Sequence, residues 1–240
     1  MSAPRSSYFT TASYISGSLF EFRHQITQHF NLEKNNKSLQ EENIALRKSS
    51  SVFLYNKLRT EAHVEDSIYA QQYDYIPGTI LNATTTKRNN FFTLNIGEIH
   101  GVKKGMGVFS SNGVVGIIHN TSKHFSVIKS VLTSNINIDV LISEVGVSGM
   151  LKWDGVNDNI GSISGVSNDI TVPKGSTVVT RGGSGIFPRG IPVGRIKNTK
   201  TVEGEASWHI DLSFSQKYAA LENVYVVKNL FLEEFTQIQN

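Results

Sequence analysis

Gly105-Met106-Gly107-Val108-Phe109-Ser110-Ser111-Asn112-Gly113-Val114-Val115-Gly116-Ile117-Ile118 decides the fold of this chain. Two short apolar runs of β-forming residues flank Ser110 to Gly113, and Asn-Gly between such runs is a strong hairpin signal. Asn112 and Gly113 both tolerate the positive φ that a type I′ turn demands. The plan then recurs. Val102-Lys103-Lys104-Gly105-Met106-Gly107-Val108 is echoed by Val172-Pro173-Lys174-Gly175-Ser176-Thr177-Val178. Gly113-Val114-Val115-Gly116-Ile117-Ile118 is echoed by Gly190-Ile191-Pro192-Val193-Gly194-Arg195-Ile196. An alternating strand follows each, Phe125 to Ile128 in the first case and Trp208 to Leu212 in the second. A turn at Lys-Gly, a strand, a glycine turn and another strand, used twice, predict two similar small β-barrels.

Upstream of this region the composition changes. From Ser18 to Ile76 there is neither Gly nor Pro, whereas Pro77-Gly78 punctuates the chain and most glycines follow it. That shift predicts a helical segment joined to a β-rich one. Within the helical segment Phe22, His29, Asn36, Asn43 and Ser50 recur every seven residues. Leu32, Leu39, Leu46 and Phe53 form the companion series. Leucine at d and asparagine at a describe a coiled-coil seam, and paired Asn side chains favour a parallel dimer. The homodimer contact is therefore expected at Phe22, His29, Leu32, Asn36, Leu39, Asn43, Leu46 and Phe53. The competing reading is a helix that packs its leucine stripe on its own domain.

The expected fold class is mainly β with a long N-terminal α-helix, a coiled-coil arm followed by two barrels. The expected divisions are a flexible 1–17, a coiled-coil helix over 18–75, a first barrel over 76–145, a second over 146–228 and a tail over 229–240. The final strands are free to rejoin the first barrel.

Composition limits the function classes. Hydrophobic content of 39% and charged content of 18% are those of a folded protein. There are no cysteines, which excludes disulfides, thiolate zinc sites and cysteine nucleophiles. The net charge of +3 sits in the first 60 residues, which hold eight basic against four acidic side chains. The β-rich remainder is close to neutral, so it lacks the concentrated basic surface of a nucleic-acid binder. No run approaches the roughly 18 apolar residues of a membrane span, and the first ten residues lack a signal-peptide core.

At Gly105 to Val108 and Gly113 to Ile118 the chain resembles MreC, the rod-shape-determining family of the bacterial elongation machinery. The likeness continues at Gly149-Met150-Leu151-Lys152-Trp153-Asp154-Gly155. It is strongest from Val178 through Arg181-Gly182-Gly183-Ser184-Gly185-Ile186-Phe187-Pro188-Arg189-Gly190 to Gly194. The motif positions are Gly105, Gly107, Gly113, Gly116, Gly149, Gly155, Gly182, Pro188, Gly190 and Gly194. Ser176 and Arg181 depart from the family pattern, which has an acidic and a small residue there. The resemblance implies a dimeric periplasmic scaffold, anchored in the inner membrane by a span that is expected to lie upstream of a soluble fragment. It also implies binding to a class B penicillin-binding protein transpeptidase and to MreD, and through them to the MreB filament system. It implies no cofactor and no catalytic residue.

The residues agree with that absence of chemistry. Gly182-Gly183-Ser184-Gly185-Ile186 resembles a nucleophile elbow, but glycine is needed where Ile186 stands. A chymotrypsin-like hydrolase would have to assemble Ser184, a histidine and Asp154 or Asp169 in space. The seven histidines show no i, i+4 pair with an acid, no phosphate-binding loop occurs, and the carboxylates are scattered. Function is expected on surfaces instead. Trp153, Phe187 and Trp208 are either core residues or interface anchors. Phe187-Pro188-Arg189-Gly190 is expected to be an exposed recognition loop, because arginine beside an aromatic is typical of interface hot spots. An export-system adaptor is the other candidate. Such adaptors fold the helical arm back as a hairpin, and no returning helix is present here.

Overall fold

From Tyr73 onward the chain alternates buried and half-buried residues, as a strand against a core must. Tyr73 and Tyr75 are buried while Asp74 and Ile76 are half-buried, and Ser162-Ile163-Ser164 repeats the pattern around a fully buried Ile163. The computed structural model describes residues 37–47, 54–56, 69–201, 204, 206–232, 234 and 237. A helix covers 37–47. Two short strands, β1 (Leu54–Asn56) and β2 (Tyr69–Gln71), pair with each other. Next come β3 (Tyr73–Ala83), β4 (Asn89–Leu94), β5 (Gly107–Phe109), β6 (Val114–Thr121) and β7 (Ser126–Thr133). They are followed by β8 (Ile138–Ile142), β9 (Val147–Lys152), β10 (Ile160–Ser167), β11 (Thr177–Thr180), β12 (Pro192–Thr201) and β13 (Ser207–Phe214). The last strand is β14 (Asn223–Asn229).

The strands close two six-stranded barrels. One runs β14-β3-β4-β7-β6-β5 and the other β8-β9-β10-β13-β12-β11. The two orders match position for position, with β14 in the place that β8 holds in the second barrel. The second barrel is thus inserted between β7 and β14. Closure removes the free sheet edges that would otherwise template aggregation. Phe92, Leu94, Val108, Ile118, Ile128, Leu132 and Val226 are at most 1% exposed in the first barrel. Ile142, Leu151, Ile163, Val178, Ile210 and Leu212 are likewise at most 1% exposed in the second. Each such side chain contributes roughly 1.5–3 kcal/mol through burial.

The repeat holds at the level of single hydrogen bonds. Gly105 N–H donates to Ile118 O at 2.9 Å, and Gly175 N–H donates to Ile196 O at 2.8 Å. Ile118 N–H donates to Met106 O at 2.8 Å, and Ile196 N–H to Ser176 O at 2.9 Å. Gly105 and Gly175 turn with φ of +89° and +83°, the left-handed region that a side chain disfavours. Val108 faces Gly116 in one hairpin and Val178 faces Gly194 in the other.

Four expectations change. The helix expected to continue to residue 75 gives way to β1, β2 and β3, because Tyr73, Tyr75 and their neighbours follow a period of two. Pro77-Gly78 does not end an element but lies inside β3, opposite Tyr225 and Val224. The boundary at 145/146 moves to the 134–137 connection, because β8 pairs with β9 and β11. The first barrel therefore holds 73–133 with β14, and the second holds 138–214. Finally, the Ser110–Gly113 turn is not of type I′ at Gly113, whose φ is not positive. It is closed by Ser110 N–H to Gly113 O at 2.8 Å, with the Ser110 hydroxyl accepting from Asn112 N–H at 3.1 Å.

Candidate functional site

The described part of the expected coiled-coil seam is short. Leu39, Asn43 and Leu46 lie on the 37–47 helix at the i, i+4, i+7 spacing of one face. All three are exposed, Leu39 at 54% and Leu46 at 63%. The Asn43 side-chain amide donates to Leu39 O at 2.9 Å, back along its own helix. Phe22, His29, Leu32, Asn36 and Phe53 lie outside the described residues.

The Arg181–Gly190 loop joins β11 to β12 and is pinned at its base by Thr180. Thr180 N–H donates to Ile191 O at 2.9 Å, Gly190 N–H donates to Thr180 O at 3.0 Å, and the Thr180 hydroxyl donates to Pro188 O at 2.5 Å. Gly182, at φ +87°, turns the loop so tightly that an added β-carbon would lie 3.0 Å from Arg189 N. The loop then meets the first barrel. An added β-carbon on Gly107 would lie 2.6 Å from both Ile186 O and the Phe187 ring. Asn229, at the end of β14, donates its amide to Gly185 O at 3.0 Å.

The rest of the join lies at the Ser110–Gly113 turn. A β-carbon on Gly113 would lie 2.7 Å from Pro192 O. Ser110 and Gln216, both buried, hydrogen-bond side chain to side chain. Tyr218 donates its hydroxyl to Val114 O at 3.0 Å. Burial pushes the Tyr218 phenol far above its ordinary range, so it serves as a neutral donor. The opening hairpin and the last connection of the chain thus fix one barrel on the other. The sequence reading missed Gln216 and Tyr218. Their one signal was a buried-type Tyr in a polar connection between strands.

These contacts correct the expected recognition loop. Phe187 is 3% exposed and fills the join, because Gly107 leaves space for its ring. Trp153 is 4% exposed, and its indole N–H donates to Asn157 O at 2.8 Å across the turn that Gly155 makes at φ +85°. Of the three expected partner-binding residues, Arg189 alone is exposed. Gly190 turns beside it at φ +96°. The other motif glycines are packing positions: a β-carbon would lie 2.2 Å from Lys129 O at Gly116 and from Ser213 O at Gly194, and 2.4 Å from Ile163 at Gly149.

Ser184 sits on a strand-to-strand loop, where its hydroxyl accepts from Ile186 N–H at 3.4 Å. Asp154 accepts from Val156 N–H at 2.9 Å within its own turn. Among the described residues no three His, Asp or Glu side chains group as metal ligands. Among them too, no helix is long and apolar enough to cross a membrane.

The family model for the barrel core of the rod shape-determining protein MreC matches residues 80–228. The chain belongs to the MreC family. The cell shape-determining protein MreC of Listeria monocytogenes is 24% identical over 147 residues, 60% of this chain and 49% of that protein. The chain spans about half the length of the curated MreC relatives it matches. A solved structure of MreC from Listeria monocytogenes superposes with a TM-score of 0.62 at 20% identity, covering 90% of this chain and 94% of that one. A complex of penicillin-binding protein PBP2 with MreC from Helicobacter pylori matches with a TM-score of 0.54 at 18% identity, covering 66% of this chain and 99% of that one.

Proposed function

We propose that this chain is the non-enzymatic scaffold of a bacterial elongation machinery, placed on the periplasmic side of the inner membrane. The observation that carries this is the MreC barrel-core match over 80–228. It is supported by the Helicobacter pylori neighbour, in which an MreC is in complex with PBP2. The partner in this reading is a class B penicillin-binding protein transpeptidase. MreD and, indirectly, the MreB filament system complete the assembly, with the full-length protein anchored in the inner membrane.

Dimerisation falls to the coiled coil, whose seam includes the exposed Leu39, Asn43 and Leu46. Exposed leucines at heptad spacing are costly in a single chain and are removed from water by a second helix. The partner surface is placed around Arg189. Its guanidinium stands at the rim of a loop that the Phe187 ring and the Gly185–Asn229 hydrogen bond hold in one shape. A preformed loop loses less conformational freedom on binding. Two measurements test this: the mass of the chain in solution, expected to be that of a dimer, and capture of the chain by the immobilised transpeptidase ectodomain. A monomer would remove the coil from the account, and failure of capture would remove the partner.

A further inference from the structure

One end of the first barrel turns apolar side chains outward. Ile99, on the connection between β4 and β5, is 58% exposed, and Phe125, at the β6–β7 turn, is 50% exposed. The two loops form one unit. Glu98 N–H and Ile99 N–H donate to the carbonyls of Ser122 and Lys123 at 3.0 and 3.3 Å. The Thr121 hydroxyl donates to the Glu98 carboxylate at 3.1 Å, and a β-carbon on Gly97 would lie 2.2 Å from Ser122 O. The core beneath is already closed by Ile96, Val102 and Ile118, so neither Ile99 nor Phe125 is needed to fill it. The tip lies at the other end of β6 from Gly113 and Val114, which meet the second barrel.

Charge completes the pattern. Lys103, Lys104 and Lys123 are exposed on the same two connections as the two apolar side chains, as are His100 and His124. Glu98 is the sole acidic residue of the two loops, and it is engaged by Thr121. Two short turns cannot supply the roughly 800 Å² per partner of a stable protein interface. They do suit a lipid surface, where each apolar side chain enters singly and each lysine stays with anionic headgroups.

We propose that this tip is a membrane-docking element. Ile99 and Phe125 enter the headgroup boundary of an anionic phospholipid bilayer, while Lys103, Lys104 and Lys123 contact its phosphates. The tip would hold the first barrel against the membrane surface, independently of the transpeptidase contact at Arg189.

The test places a fluorescent reporter at the tip of the whole chain. Phe125→Trp and, separately, Ile99→Trp are mixed with vesicles of phosphatidylglycerol and phosphatidylcholine, or of phosphatidylcholine alone. The expected result is a blue shift of the added indole, quenched by brominated acyl chains, with anionic vesicles only and weakening as salt rises. Adding Lys103→Glu, Lys104→Glu and Lys123→Glu should lower the apparent vesicle affinity at least about tenfold. Val156→Trp, at a position 85% exposed in the second barrel, should show no shift. No shift from either tip reporter overturns the proposal, as does an equal shift from Val156→Trp. A shift produced by the transpeptidase ectodomain and not by vesicles would also overturn it, assigning the tip to a protein partner.

Discussion

Gly107 and Phe187 are complementary: the missing β-carbon of one is the space occupied by the ring of the other, 2.6 Å from where that carbon would stand. The contact joins the first barrel to the second. Phe187→Ala should therefore destabilise the chain by about 3–5 kcal/mol, the cost of a buried aromatic and the cavity it leaves. Gly107→Ala should cost about 1–3 kcal/mol through overpacking. The two should be non-additive by more than about 0.5 kcal/mol, because they share one contact. Urea unfolding of the single and double variants measures this, and strict additivity would place Phe187 elsewhere.

The repeated hairpins make a paired prediction. Gly116 and Gly194 each leave only 2.2 Å between an added β-carbon and a carbonyl oxygen of the neighbouring strand. That oxygen is backbone and cannot turn aside, so Gly116→Ala and Gly194→Ala should each cost about 3 kcal/mol. Similar losses of denaturation midpoint in both variants are expected. A neutral effect in one barrel would show that the two hairpins are alike in topology only.

Glu144 gives the stability a pH dependence of known sign. Both of its carboxylate oxygens accept from Thr177 N–H, at 2.9 and 2.8 Å, where β11 begins. That backbone bond is the chief reason the carboxyl sits below the ordinary carboxylate value of 4.5. The contribution is present above that value and lost as pH falls through the depressed folded pKa. Glu144→Gln should thus melt below the unsubstituted chain at neutral pH. The gap should close in acid, once the pH falls below the depressed folded pKa. A gap that persists in acid would mean that the carboxylate charge is not what holds Thr177.

Leu39→Asp with Leu46→Asp places charge on the expected seam while leaving the barrels untouched. Analytical ultracentrifugation should show the dimer replaced by a monomer with an unchanged barrel melting transition. A mass that the double substitution does not alter would take dimerisation away from this helix.

The sequence made the hairpins legible because their signals are local. Lys-Gly turns, close-packed glycines and alternating apolar residues act within a few positions of one another, and all three recur. The exchange of strands at the ends of the barrels was not legible in the same way. β14 pairs with β3 across an inserted barrel, and nothing in Val224 to Val227 distinguishes a strand returning home from one that continues the second barrel. Phe187 misled for a different reason. An aromatic beside Pro-Arg-Gly looks the same whether it faces solvent or another barrel, and only Gly107, far away in sequence, decides between them. The early end of the helix was visible in the period-two pattern from Tyr73 to Ile76 but was masked by the absence of Gly and Pro. Ile99 lies in a turn that the strand pattern passed over, and Phe125 reads as the first residue of a strand that begins only at Ser126, which is why an exposed pair there carried no signal.

On the proposed function, this MreC-family chain holds a cell-wall transpeptidase on its barrel surface. The direct measurement is calorimetric titration of the chain with the periplasmic part of its class B penicillin-binding protein, repeated with Arg189→Ala. The expected result is saturable binding that weakens at least about fivefold in the variant, with an unchanged melting temperature. Absence of binding by the unsubstituted chain, or equal affinity for both, would contradict it.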